Sequence, residues 1–459
     1  MTVITSIPAN ELKVGMRAEV TRLCLADDLY VFARSSGNLN PMHLPKEDGD
    51  GDGKPEAIAP SMWLGALISS VLGNQLPGPG SLYKSQSLRF KARVHAGESV
   101  VVSVEVRSIA GDGTVTLDTR VDHENGTSIA EGEAEVIAPA AAKSFDIKDL
   151  PGLTVQRHQH FDRLLELAEP LPDIPTAVVA PEEVQSLGGV FLAAEATLIK
   201  PVLVGCATKI EETAKALGEP NHGFEVIDEP DHAKAAARAV ALIGEGRARA
   251  LMKGHLHTDL ILKAVLKREA GLRTARRLSH VFVMDVPGLE HLLLVTDAAI
   301  NIAPDLATKA DIVQNAIDLA SAIGIETPRA AILSAIETIN PAIASTLDAA
   351  ALAKMADRGQ ITGGIVDGPL AMDNAIDLGA ARTKGIKGAV AGQANILVAP
   401  NLEAGNMLAK ELTYLAHAEA GGIVLGAKVP VILTSRADDD TARLASCAVA
   451  ALYAQALIE

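Results

Sequence analysis

The sequence predicts an α+β domain followed by a larger α/β domain. Up to residue 139, segments that alternate apolar and polar residues, such as VSVEV at 102–106, are separated by glycine-bearing turns, which is typical of antiparallel strands. From residue 155 onward, short β-branched runs alternate with longer helical patterns, which is typical of a mainly parallel sheet. We therefore predict domains at 1–139 and 155–459, joined by a linker at 140–154 that is marked by Ala140-Ala141-Ala142 and by Pro151-Gly152.

The first domain is predicted to pack one apolar helix on a run of antiparallel strands. A helical segment at 26–35 precedes a polar loop, and the apolar helix covers 62–72. The strand patterns that follow are at 82–92, 98–108, 115–122 and 127–137. One helix on antiparallel strands is an α+β layer arrangement.

The second domain is predicted to be a mainly parallel sheet with helices between its strands. Its strand patterns are at 176–180, 201–205, 250–253, 281–285, 292–297, 330–334, 364–366, 396–398 and 431–433. Its helical patterns are at 231–243, 259–267, 307–323 and 346–357. Because this length exceeds a single comfortable core, we expect two subdomains with a cleft between them. The last three strands each end in small or polar residues, so we expect a binding site at their carboxyl ends.

Composition and charge exclude several partners. The formal net charge is −16, which leaves no basic stripe for a nucleic acid. No apolar run is long enough for a membrane span, and the N-terminus has no signal-peptide core. Cys24, Cys206 and Cys447 are far apart and lack CxxC spacing, which favours reduced thiols. We expect a cytoplasmic protein with no nucleic-acid or membrane partner.

Three linked motifs lie near the C-terminus: GGIVDGPLAMDNAI at 363–376, PNLEAGNML at 400–408 and LTSRAD at 433–438. In this order and spacing they resemble the phosphate acetyl/butyryltransferases, which is far more specific than a single glycine-rich turn. The resemblance implies a two-subdomain α/β fold similar to isocitrate and isopropylmalate dehydrogenases, usually as a homo-oligomer. It implies exchange of acyl groups between coenzyme A and inorganic phosphate, with acyl-CoA and phosphate as substrates and with no metal or cofactor.

Acyl transfer to phosphate needs fixed cations for the phosphate, donors for the oxyanion and an ionised thiol in the reverse direction. The resemblance assigns Ser435 and Arg436 to the active site, where a hydroxyl donor lies beside a guanidinium. Acetyl-type members of the family place a proposed thiol base seven residues after the serine, and this chain has Ala442 there. Either an aspartate at 438–440 replaces that base, or the thiolate forms without it.

Further site residues are carried over from the same resemblance. An arginine cluster is predicted to form a second phosphate clamp, with Arg273 and Arg277 in catalysis and Arg276 in substrate binding. Site architecture or coenzyme A contact is assigned to four more residues, Asn374, Asn401, Glu403 and Asn406.

The first domain carries the motifs SGNLNPMH at 36–43, LPGPGSLY at 76–83 and LRFKARVHAGESV at 88–100. These resemble the MaoC-like (R)-specific enoyl-CoA hydratases, which have a hot-dog fold. The family places an aspartate and a histidine around the Asn-Pro as acid/base partners; here His43 fits, but the carboxylate position is Asn38. An amide can hold a water but cannot accept its proton. The domain is therefore either an active hydratase or a non-catalytic module for acyl-CoA binding or dimerisation.

Two other motifs suggest metals, and both interpretations are rejected. The acidic loop at 48–53 would need a glutamate at the twelfth position of an EF-hand, where the chain has Ala59. His255 and His257 form an HxH pair after a strand, but no acidic or histidine cluster accompanies them in metal spacing, so we expect histidines that line a loop or a site. A dehydrogenase on the same fold is also disfavoured, because no GxGxxG follows a strand.

Overall fold

We analysed the protein as a computed structural model. The structure describes residues 2–147, 155, 160–218, 223–433 and 440–458. The chain forms two compact units, Met1–Val155 and Gln156–Glu459. Within the described ranges, no helix has the length and apolar character that crossing a membrane requires.

The N-terminal unit is an antiparallel sheet around one helix. Its strands are β1 (Thr2–Thr5), β2 (Arg17–Leu23), β3 (Leu82–Phe90), β4 (Ser99–Ile109), β5 (Thr114–His123), β6 (Ser128–Ile137) and β7 (Ser144–Ile147). Its helices are α1 (Ala26–Ser36) and α2 (Ser61–Asn74). Five strands pair in the order β2-β4-β5-β6-β3, and α2 contacts β2, β4 and β5. This is the hot-dog arrangement that the sequence predicted.

Alternation along β4 builds the core of this unit. Val100, Val102 and Val104 are buried on the face that packs with Trp63 and Ile68 of α2. Side chains two apart on a strand share a face, so the period of two visible in the sequence becomes one buried layer.

The predicted linker at 140–154 contains a short strand. Residues 144–147 form β7, which pairs antiparallel with β1 in a separate two-stranded ribbon. Ser6 reinforces the ribbon, because its backbone nitrogen donates to the Lys143 carbonyl at 2.9 Å. Strand β1 was not predicted, and the alternation in Ser144–Ile147 covers only four residues, which is too short to be recognised without that partner.

Gly132 is expected to be one of the least replaceable residues of the sheet. A Cβ there would lie 1.8 Å from the Ser87 carbonyl oxygen, so Gly132→Ala must separate β6 from β3. We expect a loss of about 1–3 kcal/mol in the free energy of unfolding, measured by urea titration. The control is Gly111→Ala, where a Cβ meets no atom within 4 Å. Equal unfolding midpoints for the two variants would contradict the prediction.

The C-terminal unit is built on one mixed sheet. Its strands are β8 (Ile174–Val179), β9 (Ile199–Gly205), β10 (Glu225–Asp228), β11 (Ala250–Lys253), β12 (Ser279–Asp285), β13 (Leu293–Thr296), β14 (Arg329–Leu333), β15 (Ile365–Leu370), β16 (Ile396–Val398), β17 (Glu419–Leu425) and β18 (Val431–Ile432). Its helices are α3 (His160–Ala168), α4 (Val184–Glu195), α5 (Ala207–Ala216), α6 (His232–Gly244), α7 (Thr258–Leu266), α8 (Leu306–Ala322), α9 (Ala344–Asp357), α10 (Met372–Ile376), α11 (Leu378–Thr383), α12 (Leu402–Tyr414) and α13 (Asp440–Ala456).

The sheet order divides the strands into two parallel groups. The order is β10-β9-β8-β11-β18-β17-β12-β13-β16-β14-β15. Strands β8 to β11 and β18 are parallel, and so are β13 to β16. Between the groups, β18, β17, β12 and β13 pair antiparallel in succession, so the second group runs opposite to the first. The two groups share one sheet in the described part of the chain, and the predicted division into two subdomains stays a prediction.

This polarity gives the sheet two functional ends. We call the upper end the one at which β8 to β11 and β18 terminate, and the lower end the one at which β13 to β16 terminate. Strand β12 begins, and β17 terminates, at the lower end. Loops that follow parallel strands of one group therefore meet at one end.

Candidate functional site

The N-terminal unit has a small cavity beside the predicted histidine. His43 ends a short 3-10 helix, Pro41–His43, and its Nδ1 lies 2.8 Å from the Ile58 carbonyl oxygen. Since a carbonyl only accepts, Nδ1 carries the ring proton and Nε2 is the basic nitrogen. The cavity, of about 240 Å³, is lined by His43, Ser61 and Arg93 among others.

Asn38 lies on the loop before this histidine. It follows Gly37, whose left-handed backbone (φ 72°) ends α1. The Asn38 Oδ1 accepts a hydrogen bond from the backbone nitrogen of Asn40 at 3.3 Å. The cavity is lined by Asn40 and His43 but not by Asn38. The arrangement supplies a basic imidazole nitrogen at the cavity without a carboxylate at position 38.

Ser435 and Arg436 lie outside the described residues, and their predicted roles stay predictions. The chain that leads to them is described. Ile432 of β18 pairs with Met252 of β11, and the Leu433 nitrogen donates to the Gly422 carbonyl. Both strands are parallel and terminate at the upper end.

The upper end carries a tightly held loop, Lys253–His257. Gly254 donates to the Val179 carbonyl at 2.8 Å, and the His255 nitrogen donates to the Ala180 carbonyl at 2.6 Å. A Cβ on Gly254 would lie 2.4 Å from that same carbonyl oxygen, so this close approach requires glycine. Ala180 itself adopts a left-handed backbone (φ 50°), a strained conformation that is concentrated at functional sites.

Two glutamates stand beside this loop. The His255 Nδ1 lies 2.5 Å from Oε1 of Glu183, as an ion-pair contact that is not aligned as a regular hydrogen bond. The nearly buried Glu182 side chain is 3.0 Å from Lys209 Nζ and 3.3 Å from His232 Nε2. Burial disfavours the Glu182 carboxylate, but hydrogen bonds from Cys206, Lys209 and His232 outweigh it and hold its pKa below the ordinary value.

The three predicted arginines line one pocket at the lower end. Arg273, Arg276 and Arg277 surround a cavity of about 300 Å³. Arg276 forms an ion pair with Asp318 and a 3.4 Å hydrogen bond to Asn315. Within the described part of the chain, the guanidinium groups of Arg273 and Arg277 have no hydrogen-bonded partner. The structure therefore brings two available cations to one cavity, and holds the third in place.

The described structure does not bring these arginines to the end of β18. The Arg277 carbonyl closely approaches Gly426, while Leu433 pairs at Gly422, four residues earlier on β17. At ~3.3 Å per residue the two points are about 13 Å apart along the strand, and the chain leaves them in opposite directions. That the arginines clamp the same phosphate as Arg436 stays a prediction.

Three other predicted residues lie at the lower end, at the start of α12. Asn401 caps this helix, because its Oδ1 accepts from the Ala404 nitrogen at 2.9 Å. Asn406 donates to the Ala298 carbonyl at 3.2 Å, whereas Glu403 is exposed. In the structure, Asn401 and Asn406 make hydrogen bonds to the backbone that stabilise α12 and the neighbouring turn.

The neighbouring turn holds the buried carboxylate of Asp297. That carboxylate accepts hydrogen bonds from the backbone nitrogens of residues 299–301 and from the Asn301 side chain. The Asn301 amide also donates to the Leu278 carbonyl at 2.8 Å, which connects the turn to the arginine segment. Burial lowers the pKa of His280 to about 4, although the charge of Asp297 acts in the opposite sense. His280 is therefore neutral near pH 7.

Asn374 is separate from both groups. It lies on α10 after β15, at the far edge of the sheet, and is fully buried. Its Nδ2 donates to Glu337 at 3.3 Å, and Glu337 pairs with Lys384 at 3.2 Å. Its Oδ1 is buried and has no hydrogen-bond partner among the described residues. The structure does not place Asn374 with the arginines.

Sequence reasoning missed Glu182 and Glu183 as neighbours of the HxH pair. They stand directly after β8, whereas His255 follows β11, so only the pairing of β8 with β11 brings them together. The signal available was Pro181-Glu182-Glu183 directly after an apolar strand.

Comparison with known proteins gives separate matches for the two parts of the chain. A family model described as "Phosphate acetyl/butaryl transferase" matches residues 231–451, and a "MaoC like domain" model matches residues 8–127. A phosphate acetyltransferase of Rhizobium meliloti is 59% identical over 294 residues, which is 64% of this chain and 93% of that protein. A phosphate butyryltransferase of Clostridium beijerinckii is 43% identical over 296 residues, 64% of this chain and 98% of that protein.

A solved structure agrees. The branched-chain phosphotransacylase from Enterococcus faecalis V583 has a TM-score of 0.53 and 33% identity, and the match covers 61% of this chain and 98% of that one. Identity at this level over nearly the whole length of three transferases accounts for the C-terminal unit, and the MaoC-like match accounts for the N-terminal one. The chain belongs to the phosphate acetyl/butyryltransferase family and carries a MaoC-like domain ahead of the transferase.

Proposed function

We propose that the C-terminal unit moves a short acyl group between coenzyme A and inorganic phosphate. The observation that carries the proposal is the 59% identity to a phosphate acetyltransferase along almost all of that protein. A phosphate butyryltransferase is also similar, so we propose a substrate range from acetyl to butyryl groups.

In this proposal the chemistry takes place at the upper end of the sheet. Arg436 binds the phosphate through its planar, permanently charged guanidinium, and Ser435 donates to the oxyanion that forms on the acyl carbonyl. The parallel exits of β11 and β18 support this placement, because they bring Lys253–His257 next to the segment that leads to Ser435. Acyl-CoA and phosphate are substrates, and the proposal needs neither a metal nor a cofactor.

We further propose an isocitrate dehydrogenase-like arrangement, a homo-oligomer and a cytoplasmic location. The reversal of strand direction at β12 and β13 supports two lobes. Exposed apolar side chains on and after α12, with Met407 at 65%, Tyr414 at 67% and Leu415 at 74%, support a self-associating surface. Free Cys24, Cys206 and Cys447 favour a reducing compartment.

For the N-terminal unit we propose acyl-CoA binding, with hydration as the second candidate. The cavity beside His43 supports binding, and the basic Nε2 of that histidine supports some hydration. Asn38 disfavours an efficient hydratase, since an amide cannot take the proton of water.

The test of the transferase is phosphate-dependent release of coenzyme A from acetyl-, propionyl- and butyryl-CoA. We expect the purified chain to release the thiol only when phosphate is present, and the three rates to rank the acyl groups. Release that does not depend on phosphate, or none from any of the three thioesters, would refute the proposed function.

A further inference from the structure

We propose that His255 is the base that takes the proton from the thiol of coenzyme A, and that Glu183 positions it. The proposal rests on the transferase function and adds a residue to it. It addresses a gap, because the position that carries the proposed thiol base in acetyl-type relatives is Ala442 here, on α13 and buried.

The fold places the loop that carries His255 beside the last described residues before Ser435 in the sequence. Met252 and Ile432 are paired in parallel register, His255 follows Met252 by three positions, and Ser435 follows Ile432 by three. Parallel neighbours are about 5 Å apart, so β11 and β18 leave the sheet side by side at the upper end. Ser435 follows Leu433, the last described residue of that exit, by two positions in the sequence. No histidine or carboxylate of the lower end, including His280 and Asp297, shares this exit.

The backbone fixes the histidine in place. Gly254 and His255 donate to consecutive carbonyls, those of Val179 and Ala180, and the strained turn at Ala180 then leads within three residues to Glu183. Glu183 is itself held, because its nitrogen meets the Ser186 Oγ at 3.3 Å at the start of α4. A strained backbone such as that of Ala180 persists only where surrounding hydrogen bonds impose it. Here the strained turn brings the Glu183 carboxylate to the His255 imidazole.

The nearby charge of Glu183, and not an aligned hydrogen bond, favours a proton on the Nδ1 of His255. The Nδ1 is buried 2.5 Å from the Glu183 Oε1, and a carboxylate stabilises the tautomer and the imidazolium with the proton on Nδ1. The Nε2 is then left to accept a proton, while 29% of the side chain stays exposed to an incoming substrate.

Other charges around the loop are mostly engaged with one another. Lys253 Nζ donates to the Gly254 carbonyl at 3.2 Å. Glu182, from the same turn as Glu183, is occupied by Lys209 and His232. His257 is the N-cap residue of α7 at the other end of the loop, and its side chain makes no capping hydrogen bond. Among these groups, Glu183 is the one in contact with the His255 ring.

The reaction step balances without another reagent. The S–H proton of coenzyme A passes to Nε2 of His255, and the thiolate forms a bond to the carbonyl carbon of the acyl phosphate. The carbon–oxygen bond to the phosphoryl group then breaks, phosphate leaves, and the imidazolium returns its proton to phosphate or solvent. In the opposite direction the imidazolium protonates the departing thiolate.

The experiment measures acyl-CoA formation from acetyl phosphate and coenzyme A as a function of pH. Wild-type kcat/KM should fall at acid pH as the imidazole becomes protonated. In His255→Gln the rate near neutral pH should drop by about 10²–10⁴-fold, and should then rise with pH in step with the free thiolate. Added imidazole should restore part of the activity of His255→Ala.

Glu183→Gln provides an independent arm. This variant should lower kcat/KM by roughly 10- to 100-fold and shift the acid limb of the pH profile. The double variant His255→Gln, Glu183→Gln should have the same kcat/KM as His255→Gln alone. The matched control is Glu195→Gln at the exposed end of the same helix, which should leave rate and profile unchanged.

The outcomes separate this proposal from the transferase function. A wild-type chain without phosphate-dependent activity would refute the function itself. If the wild type is active, either of two results would refute only the role of His255. The first is a His255→Gln variant whose pH profile keeps the wild-type acid limb, and the second is a His255→Ala variant whose activity imidazole does not restore. If histidine variants fail to fold, an unchanged acid limb in Glu183→Gln would refute it equally.

Discussion

Ser435→Ala should lower kcat for acyl transfer by about 10²–10³-fold with little change in KM for acyl-CoA. The reason is that a hydroxyl donor aimed at the oxyanion stabilises the transition state and not the bound thioester. Arg436→Ala should raise KM for phosphate and also lower kcat, because in the proposed mechanism the guanidinium both binds the dianion and screens its charge as it approaches the acyl carbon. Steady-state kinetics of coenzyme A release at varied phosphate distinguishes these two patterns.

Two conservative variants serve as controls for that result. Ser435→Thr keeps the hydroxyl and should retain much more activity than Ser435→Ala. Arg436→Lys keeps the positive charge but loses the two parallel N–H donors of the guanidinium, so its kcat/KM for phosphate should lie between those of the wild type and Arg436→Ala. Wild-type kinetics in either alanine variant would remove that residue from the mechanism.

Asn38→Asp should raise the hydration of crotonyl-CoA by the N-terminal unit by about 10²–10⁴-fold. A carboxylate there can accept the proton of water, which the amide cannot, and general base catalysis is worth this range. One oxygen of the aspartate can keep the bond that the Asn38 Oδ1 now accepts from the Asn40 nitrogen, and the other must reach the cavity beside His43 for the gain to occur. Loss of absorbance of the enoyl thioester is the measurement.

The gain should also depend on His43. In the double variant Asn38→Asp, His43→Gln, the added carboxylate lacks its partner, and hydration should return to the wild-type level. An Asn38→Asp protein that folds normally and shows no gain would support the binding module over the hydratase.

Most of the fold was predictable from periodicity. The prediction for 250–253 matches β11 and that for 396–398 matches β16. Strand β17 was missed, because Gly421 and Gly422 interrupt its apolar run. In the structure those glycines allow close contact: a Cβ on Gly421 would meet Ser446, and one on Gly422 would lie 2.8 Å from the Leu433 carbonyl oxygen. Glycine in a strand weakens the sequence signal at the very point where tertiary packing needs it.

The site was less predictable than the fold. The Ser435-Arg436 motif is local and specific, so sequence alone suggested it. By contrast, the antiparallel insertion of β12 and β17 decides that the arginine cluster lies at the lower end, and no local pattern reveals that polarity. The pairing of His255 with Glu183 likewise depends on two strands that are distant in sequence.

The position of β18 has a consequence for biosynthesis. This strand follows β11 and β17 in the sequence, yet it lies between them in the sheet. During synthesis, the hot-dog unit, whose last strand ends at residue 147, therefore leaves the ribosome long before the transferase sheet can be completed. Until Val431 and Ile432 leave the ribosome, β11 and β17 each have an unpaired edge. Unpaired strand edges promote aggregation and are exposed surfaces that chaperones protect. A chain that is terminated shortly before β18 should therefore have a folded N-terminal unit and a C-terminal unit whose sheet is incomplete.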